Sequence, residues 1–126
     1  MADGTRRERG LEMIKRVYAD DVVPPPEGNV FTDIMLEQVF AEVWSRDVMS
    51  VRDRRLLLLG IIAEKGEGMV FGIQVKAALK NGELEPEEIR ELMLMIAQYS
   101  GYPRAAALLG IVEEKIAEVA KEREGE

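Results

Sequence analysis

Leu56, Leu57, Leu58, Leu59, Ile61 and Ile62 fall so close together that, at helical spacing, they point to every side of one helix. A helix that is apolar all round must be enclosed by neighbours. Each such side chain contributes about 1.5–3 kcal/mol when fully buried, before conformational entropy is subtracted. The segment is therefore expected to be the central element of the fold. Ser50 is placed to cap its start, with Asp53 three positions on as a weaker form of the capping box, and the helix is expected over 54–63. With 126 residues, the chain is one domain's worth of protein, expected as a single domain over 1–126. A chain of that size buries only about two-thirds of the surface its unfolded form exposes. Self-association would complete the burial.

The flanking sequence reads as further helices. Leu11, Ile14, Val17 and Tyr18 trace a first helix over 5–18, which stops before the proline-rich loop 22–29. Thr32 is expected to cap a second helix, with Ile34, Met35, Val39, Phe40, Val43 and Trp44 on its apolar face. Gly66 and Gly68 interrupt the pattern, and a helix resumes near Met69 and ends at Asn81-Gly82. Pro86 suits a first helical turn, followed by Glu87 and Glu88 at the positive end of the dipole. Ile89, Leu92, Met93 and Ile96 form that helix's stripe, and Leu94 and Met95 widen it towards a second surface, such as another subunit. Gly101 breaks the chain again and Pro103 opens the last helix, whose expected seam is Ala106, Leu109, Val112, Ile116 and Val119. Residues 121–126 read as a frayed charged tail. No strand-like alternation occurs, so the expected fold is all-α, a compact bundle of about six helices.

Charge and composition remove whole classes of function. The net charge of -7 opposes nucleic-acid binding, which needs a clustered basic surface; the one basic cluster, Arg6, Arg7, Arg9, Lys15 and Arg16, reads as a solvated helix face. Absence of cysteine excludes disulfides, thiolate metal sites and thiol redox chemistry. Absence of histidine removes the usual transition-metal ligand and the side chain that titrates near neutrality. Neither metal nor cofactor is expected. No secretory signal or membrane-length apolar run is visible, so a soluble cytoplasmic protein is the simplest expectation.

Several ordered runs carry a family likeness: Phe40-Ala41-Glu42-Val43-Trp44-Ser45-Arg46, Arg52-Asp53-Arg54-Arg55-Leu56-Leu57, Val75-Lys76-Ala77-Ala78-Leu79-Lys80-Asn81-Gly82, and Glu87-Glu88-Ile89-Arg90-Glu91-Leu92-Met93-Leu94 leading into Tyr99-Ser100-Gly101-Tyr102-Pro103-Arg104-Ala105. In that order, from about Gly10 to Ile116, the chain resembles the carboxymuconolactone decarboxylase family, whose wider relatives include alkylhydroperoxidase-like proteins. The resemblance implies trimers or hexamers with pockets near subunit interfaces. It also implies a histidine where Gln74 stands, and a second where Met95 stands. The peroxidase branch uses a Cys-x-x-Cys pair and a histidine, none of which this chain has. Thiol peroxidase activity is therefore excluded.

Decarboxylation needs a sink for developing negative charge and a proton donor. Arg46 and Arg55 are candidates to grip a substrate carboxylate, Glu42 to move protons, Gln74 to orient substrate, and Trp44 and Tyr99 to line the pocket. Each has a structural alternative. Glu42 and Arg46 are spaced for a helix-surface ion pair, Arg55 for a subunit bridge, and Trp44 for the core. Tyr99 fits a helix-turn role, and Gln74 a satisfied buried amide. Two functions follow from these readings. One is a family member that binds a small carboxylated or lactone-type metabolite without the standard decarboxylation. The other is an active cofactor-independent decarboxylase or lactone-processing enzyme using Glu42 and the arginines.

Overall fold

A computed structural model describes residues 4–125. Among them every regular element is helical: α1 (Arg6–Val17), α2 (Val30–Ile34) continuing into the π-helical stretch π1 (Met35–Trp44), α3 (Val51–Lys65), α4 (Gly68–Lys80), α5 (Pro86–Ser100) and α6 (Tyr102–Glu124). The all-α expectation is met. No helix of the described residues is long and apolar enough to cross a membrane. Contacts gather into two compact units, Met1–Arg54 and Arg55–Glu126.

In the first unit α1 lies along π1. Thr5 caps α1 by accepting the Glu8 amide at 3.0 Å, and Met13, Ile14 and Val17 form its buried face. Gly10 is the crossing point. A Cβ there would stand 2.2 Å from the Leu36 carbonyl oxygen, so only glycine lets the two backbones approach this closely.

The second helix starts earlier than the sequence suggests. Asn29, not Thr32, is the cap: its side chain accepts the Thr32 amide at 3.2 Å, and Thr32 is buried one turn in. The expected apolar face also shifts. Leu36, Phe40, Ala41 and Trp44 are buried, whereas Ile34, Val39 and Val43 are exposed. π1 is an i→i+5 coil, and its buried residues are Leu36, Phe40 and Trp44 at every fourth position, with Ala41 beside Phe40.

The end of α1 carries local strain. The Asp20 amide bonds back to the Lys15 carbonyl at 3.0 Å, which places Ala19 at the position where such helix ends favour glycine. Ala19 accordingly has φ 51° and Asp20 φ 66°, both in the left-handed region. Replacing Ala19 by glycine removes a Cβ from a conformation that disfavours it. The unfolded chain then has more freedom to lose, and the net stabilisation is expected to be about 0.5–1 kcal/mol. An upward shift of the urea midpoint checks it; a downward shift contradicts it.

In the second unit α6 packs on both α4 and α5. Leu59, Ile62 and Ala63 of α3 join Phe71, Val75, Ala78 and Leu79 of α4 in one apolar cluster. Met93 of α5 and Val112 of α6 belong to it as well. Ser50 caps α3 as expected, accepting the Asp53 amide at 3.0 Å, although the helix runs over Val51–Lys65, longer than 54–63. Glu88 accepts the Glu85 amide at 2.8 Å at the start of α5, next to Pro86.

Three expectations are corrected here. The leucine-rich helix is not enclosed on all sides by its own chain: Leu57 is 62% exposed, and Leu57, Gly60 and Ile61 line an open groove of about 610 Å³. The α6 seam is Ala105, Leu108, Val112 and Val119, with Leu109 exposed. Nor does the tail fray at residue 121, since α6 continues to Glu124. An Arg123 Nη2 hydrogen bond of 2.7 Å to the Leu79 carbonyl fastens that end onto the last turn of α4. Arg90 of α5 also grips Glu113 of α6 through two bonds of 2.9 and 2.7 Å, which hold the Glu113 carboxyl below its ordinary range.

Candidate functional site

The most constrained polar cluster of the second unit begins with a glycine. Gly82, at φ 70°, ends α4 in the left-handed conformation. Its amide bonds the Leu79 carbonyl at 3.1 Å, and the next amide, that of Glu83, bonds the Ala78 carbonyl at 3.0 Å. Leu84, 2% exposed, anchors the chain beyond the turn. The turn delivers the Glu83 carboxylate to the fully buried guanidinium of Arg55, in the first turns of α3.

Arg55 holds Glu83 side-on. Nε donates to Oε1 at 2.9 Å and Nη2 to Oε2 at 3.1 Å, while Nη1 donates to Oε1 of Gln74 on α4 at 2.6 Å. The Asn81 amide adds a bond to Glu83 Oε2 at 3.1 Å. Bidentate, charge-assisted bonds of this kind are among the strongest that side chains make. The cluster neutralises its own buried charge. It orients groups firmly, but neither a guanidinium nor an amide exchanges a proton at neutral pH.

The structure thus brings two of the proposed site residues, Arg55 and Gln74, into direct contact inside their own chain. Gln74 is a buried amide with a charged partner, and Arg55 already uses three donors within the unit. In the first unit Glu42 is half-exposed. It accepts from Arg6 Nε at 2.9 Å and lies 3.8 Å from Arg9, so its ion pairs run to α1 and not to Arg46. Trp44 is buried and stacks on Phe40, with ring centroids 6.4 Å apart and planes 7° apart; Phe40 in turn meets Tyr18 at 5.9 Å. Arg46 is exposed in the loop after π1. Tyr99 is 83% exposed on α5.

Glu83 is the residue that sequence reasoning missed. A signal was available: the position after a helix-ending Asn-Gly points back along the helix, so a carboxylate there seeks a nearby cation. The pairing of Glu42 with Arg6 and Arg9 had no such local signal, because it depends on how α1 lies along π1.

The family model described as "Carboxymuconolactone decarboxylase family" matches residues 31–114, more than half of the chain. The chain is similar to 4-carboxymuconolactone decarboxylase of Acinetobacter baylyi, at 26% identity over 120 residues, covering 90% of this chain and 89% of that protein. It is also similar to nitrosuccinic acid decarboxylase of Metarhizium robertsii, at 28% identity over 115 residues, covering 86% and 80%. An uncharacterized protein of Methanocaldococcus jannaschii is 23% identical over 107 residues, covering 83% and 90%. With a family match of that extent on an all-helical chain, this protein belongs to the carboxymuconolactone decarboxylase family.

Proposed function

We propose that this chain is a family member with a divergent pocket, binding a small carboxylated or lactone-type metabolite without carrying out the standard decarboxylation. The observation behind this reading is the buried Arg55–Gln74 contact. Where the family resemblance implies a histidine, this chain has an amide bonded to a permanently charged arginine. Binding and orientation survive such a change; proton delivery does not. The names of two relatives, a carboxymuconolactone decarboxylase and a nitrosuccinic acid decarboxylase, support a small carboxylate as the class of ligand. Glu42, the proton carrier of the active-enzyme reading, is half-exposed between two arginines and lacks the apolar burial typical of a catalytic acid.

The test is a panel of small carboxylates and lactones, including 4-carboxymuconolactone and nitrosuccinate, with binding followed by calorimetry and turnover by carbon dioxide release. Binding of at least one member without release is expected, and release by the native protein contradicts the reading. Gln74→His adds a second measurement. Carbon dioxide release gained by that variant identifies a pocket that has lost only its proton carrier, whereas unchanged binding with no release identifies a repurposed one.

The same reading includes self-association as a homotrimer or homohexamer. Leu94, Met95 and Tyr99 of α5, and Leu57 and Ile61 of α3, are exposed apolar or aromatic side chains that a second copy would cover. Light scattering is expected to give three or six times the 14.2 kDa chain mass, and a stable monomer contradicts it.

A further inference from the structure

We infer that Arg54, together with the Arg46 loop, is the seat for a ligand carboxylate; this deepens the binding reading above and rests on it. Arg54 and Arg55 are neighbours on α3 and therefore point about 100° apart. Their situations are opposite. The Arg55 fork is filled by Glu83 and Gln74. The Nε of Arg54 is buried and has no hydrogen-bond partner, the one such side-chain atom among the described residues.

An unmet buried donor is costly, more so when it belongs to a charged group, and native proteins tolerate few of them. Arg54 makes one bond, from Nη2 to the Arg46 carbonyl at 3.2 Å, and has no acidic partner among the described residues. The Nη2 group carries a second hydrogen. Nε–H and Nη2–H are the pair of donors by which Arg55 holds both oxygens of Glu83. On Arg54 the fork has no carboxylate.

The surroundings suit an anion. Arg46, whose carbonyl fixes Arg54, has its own guanidinium exposed without an acidic partner among the described residues. Between Ser45 and Arg54 the chain carries Arg46, Arg52 and Arg54 against Asp47 and Asp53, a local excess of positive charge in a chain of net charge -7. A small mono- or dicarboxylate fits these features: one carboxylate completes the Arg54 fork, and Arg46 supplies longer-range attraction.

The experiment measures the affinity of succinate for the native protein, Arg54→Lys and Arg54→Met, with Arg90→Lys as a surface control, alongside urea midpoints without ligand. Succinamide and inorganic phosphate serve as competitors in parallel titrations. The expected result is at least tenfold weaker succinate binding in both Arg54 variants, with Arg90→Lys unchanged. Ligand-free stability should change little, because the unmet Nε donor is removed together with the single bond to the Arg46 carbonyl. Native-like affinity in either variant overturns the assignment. Phosphate binding as tightly as succinate overturns the choice of a carboxylate. Failure of the native protein to bind succinate also overturns the role of Arg54, while the lactones of the panel still decide the broader reading separately.

Discussion

Glu83→Ala is expected to destabilise the protein by about 3–5 kcal/mol, the usual consequence of stripping one partner from a buried ion pair. Arg55 is fully buried, and Glu83 accepts from both its Nε and its Nη2. Removing that carboxylate leaves a guanidinium that cannot lose its charge and has no water to turn to. Against a typical domain stability of 5–15 kcal/mol, the loss is a large fraction of the whole. The check is the urea midpoint, which should fall with little change in slope. A double variant, Arg55→Met with Glu83→Leu, should recover most of the loss, because apolar replacement of both members of a buried pair is often neutral. Any remaining deficit reflects Gln74 Oε1, which loses the Arg55 Nη1 donor, and the Asn81 amide, which loses its Glu83 acceptor. If Glu83→Ala costs less than 1 kcal/mol, the cluster is not the tightly satisfied network described here.

Gly10→Ala is expected to be the second most damaging single change, at the upper end of ordinary overpacking, about 3 kcal/mol. The added methyl would stand 2.2 Å from the Leu36 carbonyl oxygen and 2.8 Å from its carbonyl carbon. Both are backbone atoms. No rotamer change relieves the clash, so α1 and π1 must separate, and the buried contacts of Met13, Ile14 and Val17 loosen with them. Near-UV circular dichroism should report the change through the Trp44–Phe40 stack of π1. Gly110→Ala is the control. A Cβ at Gly110 meets nothing within 4 Å, and alanine in a helix interior is favoured over glycine by roughly 1 kcal/mol. A Gly10→Ala protein as stable as the native one would contradict the close crossing of the two helices.

What the sequence made readable was governed by local chemistry. The cap at Ser50, the glycine end at Gly82, Pro86 in its first turn and the break at Gly101 all follow from short-range backbone rules, and each stands where those rules put it. Faces were harder. In π1 the expected face included Val39 and Val43, which are exposed, and left out Leu36 and Ala41, which are buried. In α6 the small side chains Ala105, Ala106 and Ala107 give the pattern little contrast, and the seam falls on Leu108 instead of Leu109. That position 74 is an amide could be read directly from the residues; the partners it meets could not. Arg55 meets Gln74 and Glu83 across separations of 19 and 28 residues, and only the packing of α3 against α4 and the turn after it brings them together.

The central proposal is that this chain binds its ligand but has no group to hand over a proton. One sample of native protein titrated with 4-carboxymuconolactone, followed at once for heat of binding and for carbon dioxide, tests it most directly. Saturable heat with no gas above the buffer rate is the predicted result. Gas evolving in proportion to enzyme concentration would contradict it.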